Sequence, residues 1–83
     1  LMRYVLVYSK DNCQQCKMVK RWLDDKGIKY KECNVTNDEA EAKHLRLLGF
    51  KTLPVIYIDS DKFNGFITGF DVKKMNDVFL GGK

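Results

Sequence analysis

The chain holds only three cysteines in 83 residues. That is an odd number, and too few for the disulfide framework of a small secreted scaffold. No apolar stretch approaches the roughly 20 residues needed to span a bilayer. The opening residues form a strand pattern with no secretory leader, and Leu1 reads as an addition ahead of a natural start at Met2. A reducing, cytoplasmic setting is therefore expected. There is no repeat, linker, low-complexity tract, phosphate-binding glycine loop or paired-carboxylate site. Aromatics do not interleave with the basic residues and no nucleic-acid module is present, so nucleic acid is not expected as a partner. The single histidine, His44, lies between Lys43 and Arg46 and is expected in solvent. Cys13, Cys16, Cys33 and His44 are the only soft ligand set, and their spacing matches no zinc finger, so no metal is expected.

What is present is a single small domain, residues 1–83, with 45% hydrophobic and 12% aromatic residues to build a core. Its charge is uneven. Residues 10–31 contain seven basic residues (Lys10, Lys17, Lys20, Arg21, Lys26, Lys29, Lys31) and three acidic ones (Asp11, Asp24, Asp25), a surplus equal to the net charge of +4. This is either a solvated helix face or a positive rim that favours thiolate and steers acidic partners.

Apolar periodicity divides the chain into alternating elements. Tyr4 to Tyr8 reads as a strand, followed by a helix from about 13 to 26 capped by Asp11 or Asn12, with Cys16, Val19 and Leu23 inward and Met18 and Trp22 beside them. Gly27 is placed to end it, with Ile28 making the accompanying contact. Tyr30 to Val35 predicts a second strand. Thr36 and Glu39 form a capping-box pattern for a helix to Leu48, with Leu45 and Leu48 inward and Gly49 as its stop. Val55 to Ile58 is a strong strand and Phe63 to Phe66 a short edge strand. Thr68-x-x-Asp71 is a second capping-box pattern, opening a helix with Val72, Met75 and Phe79 on one face and Gly81-Gly82 as its stop. Strands separated by helices are expected to be parallel, and the last two to form an antiparallel hairpin.

The chemistry-bearing feature is Cys13-Gln14-Gln15-Cys16 at a helix start. Two cysteines so spaced can close a small disulfide ring. The first faces the unpaired N–H groups and positive end of the helix, which favours the nucleophilic thiolate. Cys13, the outer thiol at an exposed first turn, is the expected nucleophile; Cys16, one turn further in, is the expected resolving thiol. Cys33, in a strand pattern, is expected to be core packing.

Tyr8-Ser9-Lys10 ahead of Cys13-x-x-Cys16, then Thr52-Leu53-Pro54-Val55, then Asn64-Gly65-Phe66, resemble the glutaredoxin branch of the thioredoxin superfamily, in particular the NrdH-type redoxins. The resemblance covers nearly the whole chain. It implies an α/β thioredoxin-like fold, a four-stranded mixed sheet with three helices in the order β-α-β-α-β-β-α. It implies a monomeric thiol–disulfide oxidoreductase with no bound cofactor beyond a redox-active Cys13–Cys16 disulfide. Such a protein serves as dithiol electron donor to a class Ib ribonucleotide reductase and is recharged by thioredoxin reductase. The resemblance also implies a cis Leu53–Pro54 bond against the cysteine pair, turning the Leu53 N–H and C=O outward to pair with a substrate chain. Lys10 matches a lysine that holds a glutathione carboxylate in glutaredoxins. Lys10, Gln14, Gln15, Thr52, Leu53, Pro54, Gly65 and Phe66 are thus the expected partner-binding residues.

The departures from the family pattern point away from glutathione. Gln14-Gln15 replaces Pro-Tyr, and Asn64-Gly65 stands where a Gly-Gly pair is usual. Ile67-Thr68 falls where an acidic pair would hold the glutathione ammonium, although a shifted alignment through Gly69-Phe70-Asp71 restores one acid. Phe63-Asn64-Gly65-Phe66 replaces the Trp-Ser-Gly-Phe common in NrdH-type redoxins, and Thr68 a common proline. A glutathione-dependent glutaredoxin, an iron–sulfur carrier bridging two chains through Cys13, and an interaction module with incidental cysteines are the competing functions.

Overall fold

The computed structural model describes residues 2–81. They form β1 (Met2–Ser9), α1 (Gln14–Asp25), β2 (Lys31–Asn34), α2 (Glu39–Leu47), β3 (Val55–Ser60), β4 (Asn64–Thr68) and α3 (Val72–Leu80). The strands make one mixed sheet in the order β2-β1-β3-β4. β1 and β2 are parallel, and β3 and β4 form the expected antiparallel hairpin. The expectation that every helix-separated strand runs parallel fails at β3, which is antiparallel to β1, with Val55 opposite Tyr8. The chain leaves β2 and enters β3 at the same end of the sheet, so α2 does not return it to the opposite end as a parallel crossover would. Ser9, Asn34, Val55 and Thr68 consequently all lie at one sheet end.

The two central strands are buried on both faces, which explains their nearly continuous apolar runs. One face carries Val5, Val7, Ile56, Ile58 and Ile67 against Val19 and Leu23 of α1 and Met75 of α3. The other carries Tyr8 and Val55 against Val35 and Leu45, with Ala42, Phe50 and Tyr57 packed around them. Leu48 and Val72, expected inward, are exposed at 51% and 40%, and Met18 at 38%. α2 and α3 are only nine residues each, and each supplies one buried side chain, Leu45 and Met75. No helix among the described residues is long and apolar enough to cross a membrane.

The helix ends differ from the expected caps in a consistent way: each start falls later in the chain. Asp38, not Thr36, caps α2, accepting from the Glu41 N–H. Asp71, not Thr68, caps α3, accepting from the Lys74 N–H at 3.0 Å. A short Asx side chain directly before the helix reaches the second or third free N–H better than one further upstream. Thr68 is instead the last residue of β4, because the Ser60–Phe63 turn, closed by the Ser60 N–H donating to the Phe63 carbonyl, delays the strand to Asn64. At the end of α1, Gly27 adopts φ +69° and the Ile28 N–H reaches back to the Leu23 carbonyl, a left-handed stop that a side chain would strain. Gly81 (φ +78°) ends α3; Gly82 of the expected stop lies outside the described residues.

α1 is also tied to the sheet by a polar bridge. Glu32 Oε2 accepts from Lys20 Nζ at 2.8 Å and from the buried Ser9 hydroxyl at 2.5 Å. The Lys20 bond first, then the Ser9 bond, holds the Glu32 carboxyl below its usual range. A depressed carboxylate pKa contributes stability above the unfolded value, and that contribution is lost as pH falls through the folded value. Stability measured by urea unfolding should therefore drop for the wild type on acidification below about pH 5. Glu32→Gln should be less stable at neutral pH and should show a shallower acid loss over the same range.

Candidate active site

The end of the sheet where Ser9, Asn34, Val55 and Thr68 meet carries the cysteines. β1 passes through Lys10, Asp11 and Asn12 into α1. Asn12 sits at φ +55°, a left-handed conformation that asparagine tolerates better than most residues. Cys13 follows in extended conformation (φ −118°, ψ 106°) and is itself the N-cap of α1, displacing the expected Asp11 or Asn12. Its Sγ accepts the Cys16 N–H at 3.1 Å, and its carbonyl accepts the Lys17 N–H at 3.2 Å. Cys13 and Cys16 are joined in a disulfide with Cα atoms 5.2 Å apart.

Cys13 is more covered than its expected place at an exposed turn, with 8% of its surface open; Cys16 has 1%. The cover comes from the loop before β3. The Leu53–Pro54 bond is cis, Pro54 is fully buried, and the Leu53 carbonyl oxygen lies 4.0 Å from Cys13 Sγ. Beyond that contact, neither the Leu53 N–H nor its carbonyl has a hydrogen-bond partner among the described residues.

The third part of the site comes from the β4–α3 junction. The Gly69 N–H donates to the Pro54 carbonyl at 2.9 Å, and the Phe70 N–H donates to Gln15 Oε1 at 3.2 Å. Gly69 has φ +69°, and a Cβ there would stand 3.3 Å from Gln15 Oε1. The segment at the cysteines is thus Thr68-Gly69-Phe70-Asp71, the shifted alignment. Gly65 and Phe66 are not brought to the cysteines. They pair with Ile58 and Tyr57, respectively three and two rungs along the hairpin from the Val55–Thr68 pair at the site. Phe66 instead joins a ring cluster with Phe50 and Tyr57 at 4.8 and 5.3 Å. Asp71 therefore does place one carboxylate at this end, with Oδ1 engaged by the Lys74 N–H.

Lys10 and Gln14 are exposed beside Cys13, and Thr52 is exposed before Leu53. Gln15 turns its side chain to the Gly69-Phe70 loop and acts as a tie between α1 and α3. The residues missed by the preferred alignment, Gly69 and Phe70, had one usable signal: a Gly-aromatic-Asp run directly ahead of an amphipathic helix.

A glutaredoxin family model matches residues 5–63. The chain belongs to the glutaredoxin family. Among its relatives, the glutaredoxin-like protein NrdH of Lactococcus lactis is 44% identical over 62 residues, 75% of this chain and 86% of that one. NrdH of Escherichia coli is 31% identical over 62 residues, 75% of this chain and 76% of that protein. The solved structure of the E. coli NrdH-redoxin, described for its thioredoxin-like activity profile, superposes with a TM-score of 0.79 at 29% identity, covering 92% of this chain and 95% of that one. This glutaredoxin is a thiol–disulfide oxidoreductase of thioredoxin-like fold, with Cys13 and Cys16 as its redox-active pair.

Cys33 stands apart from that pair. It is a free, half-buried thiol on the edge strand β2, packed against the Tyr8–Val55 cluster. Burial first, then the nearby Glu41 and Asp38 carboxylates, push its thiol pKa up, so it stays protonated and unreactive at neutral pH. Cys33→Ser should leave the rate of disulfide reduction within about twofold of wild type in a coupled turnover assay, since only the thiolate is a nucleophile.

Proposed function

We propose that this glutaredoxin is a dithiol electron donor to a protein disulfide, with a class Ib ribonucleotide reductase as the substrate and thioredoxin reductase as the source of electrons. The Cys13 thiolate attacks one sulfur of the partner disulfide; that S–S bond breaks, a mixed disulfide forms and the partner's second sulfur leaves as a thiolate that takes up a proton. Cys16 then gives up its proton and attacks Cys13 Sγ. The mixed disulfide breaks, the partner departs as a dithiol, and the Cys13–Cys16 disulfide remains. Two electrons pass to the partner, with one proton from Cys16 and one from water, and no other cofactor takes part. The cycle suits a monomer in the reducing cytoplasm.

The observation that carries this reading is the distribution of backbone hydrogen bonds around Cys13. The Gly69 N–H is taken by Pro54 and the Phe70 N–H by Gln15, while among the described residues the Leu53 N–H has no partner and its carbonyl meets only Cys13 Sγ at 4.0 Å. An extended protein segment can pair with such an edge. The likeness to NrdH proteins, and to the E. coli member described for a thioredoxin-like activity profile, supports the same choice. Glutathione's carboxylates would need charge-assisted bonds from N–H donors, and the Gly69 and Phe70 N–H groups already donate to Pro54 and Gln15. One such bond is worth about 1.5–3 kcal/mol, or about one to two decades in affinity. The second reading, a glutathione-dependent glutaredoxin, is favoured by the Asp71 side chain, which offers the glutathione ammonium group one carboxyl acceptor.

At matched electron supply, thioredoxin reductase should reduce the Cys13–Cys16 disulfide at least about tenfold faster than glutathione; turnover with glutathione and none with the reductase overturns the proposal. Cys16→Ser, mixed with an oxidised ribonucleotide reductase, should accumulate a mixed disulfide visible on a non-reducing gel, whereas Cys13→Ser should form none.

A further inference from the structure

Two polar residues far from the Cys13–Cys16 pair in sequence, Asn34 and Thr36, converge on the loop that delivers Cys13. The Asp11 N–H donates to Thr36 Oγ1 at 2.8 Å. The Thr36 N–H donates to Asn34 Oδ1 at 2.9 Å. Asn34 Nδ2 donates to Asp11 Oδ1 at 2.9 Å. The three bonds form a closed ring between the β1–α1 loop and the β2–α2 loop. One residue further back, the Val35 N–H donates to the Ser9 carbonyl at 2.9 Å, so the loop is anchored where β1 ends and again at Asp11.

The ring ends at Asp11, and Asn12 and Cys13 follow at once. The left-handed Asn12 turns the chain so that Cys13 can be both extended and the helix cap, with Sγ on the Cys16 N–H. These backbone angles are the condition for the thiolate to sit on the helix N-terminus. A loop free to relax at Asp11 would let Asn12 leave its left-handed conformation, and Cys13 Sγ would lose the Cys16 N–H. Exposed hydrogen bonds contribute little to stability one at a time, because water replaces them. A ring of three, joining two loops, acts chiefly on geometry.

We propose that Asp11, Asn34 and Thr36 form a clasp whose role is to position Cys13, so that Asn34 and Thr36 are positioning residues for thiol–disulfide exchange. They act through Cys13 orientation and need not touch the partner. The charged residues flanking Cys13 in sequence are Lys10, Asp11 and Lys17, and Asp71 caps α3 at the same end of the sheet. Thr36 and Asn34 add no charge to this set. Their removal therefore changes geometry while leaving the surrounding charge as it was.

The test compares Thr36→Val, Thr36→Ser and Asn34→Ala in the full chain. Thr36 and Asn34 are exposed, and circular dichroism and urea unfolding check that each variant is folded. The primary readout is the rate of alkylation of reduced Cys13 by iodoacetamide from pH 4 to pH 9, with Cys33 replaced by serine throughout. Thr36→Val and Asn34→Ala should shift the alkylation profile to higher pH and slow the reaction at pH 6 about fivefold, the scale of one lost hydrogen bond. Thr36→Ser, which keeps the accepting oxygen, should restore the wild-type profile. A Thr36→Val protein that folds and alkylates with an unchanged profile overturns the clasp. So does a Thr36→Ser protein that is as impaired as Thr36→Val. The readout involves no reductase or partner, so it stands or falls separately from the electron source proposed above.

Discussion

The antiparallel entry of β3 beside β1 is the constraint on which the rest of the site depends. It places Val55 opposite Tyr8, so the chain segment just before β3 arrives where β1 has just ended. Because β1 continues into Cys13 and β3 is preceded by Pro54, this one register brings the cysteine loop and the proline loop together. The β3–β4 hairpin then returns Thr68 to the same end, opposite Val55, and adds Gly69 and Phe70. Three segments distant in sequence meet with no dedicated subdomain to hold them. A slip of one residue in the β1–β3 pairing would turn Val7 and Ile56 to the opposite faces of the sheet, so the hydrophobic core and the site geometry are fixed by the same pairing.

Within that frame the chemistry rests on a cysteine in an unusual structural role. N-caps are ordinarily Ser, Thr, Asp or Asn; here a sulfur takes the place of their oxygen and accepts the Cys16 N–H. The capping position and the nucleophile are the same atom, so the local force that starts α1 also points Sγ at the helix end. Around it, hydrogen bonding is divided between closed and open groups. Gln15, Gly69 and Phe70 satisfy one another and Pro54, which stiffens the wall on the α3 side. On the other side, among the described residues, the Leu53 N–H has no partner, and that contrast gives the site a direction.

Much of this was legible in the residues. Val5 to Tyr8, the Cys16–Val19–Leu23 stripe, Gly27, and the Thr52-Leu53-Pro54 run each carry a local signal strong enough to place an element, and the strands, helices and cysteine pair follow from them. The caps were harder, because Thr36 and Thr68 fit a capping-box spacing as well as Asp38 and Asp71 fit a simple cap. Only the tertiary bonds decide between them: Thr36 is engaged by Asp11, and Thr68 by its pairing with Val55. The same ambiguity displaced the Gly-Phe motif. Asn64-Gly65-Phe66 and Thr68-Gly69-Phe70 are two Gly-Phe runs four residues apart, and the length of the Ser60–Phe63 turn selects the second. That selection is non-local. It also falls beyond residue 63, where the family match ends.

α1 and α3 both begin at the cysteine end of the sheet, since each follows directly from a strand that terminates there. Their backbone dipoles therefore present two positive poles to one small region. A field of this kind lowers the energy of a dithiol carrying one negative sulfur and does nothing for the uncharged disulfide, so taken alone it makes a protein a weaker reductant. The acidic side chains nearest those poles, Asp11 and Asp71, oppose it. The relative stability of dithiol and disulfide in this glutaredoxin thus reflects a balance of two helix ends with the carboxylates of Asp11 and Asp71 and the cations of Lys10 and Lys17. That balance can be tuned at positions that never touch sulfur.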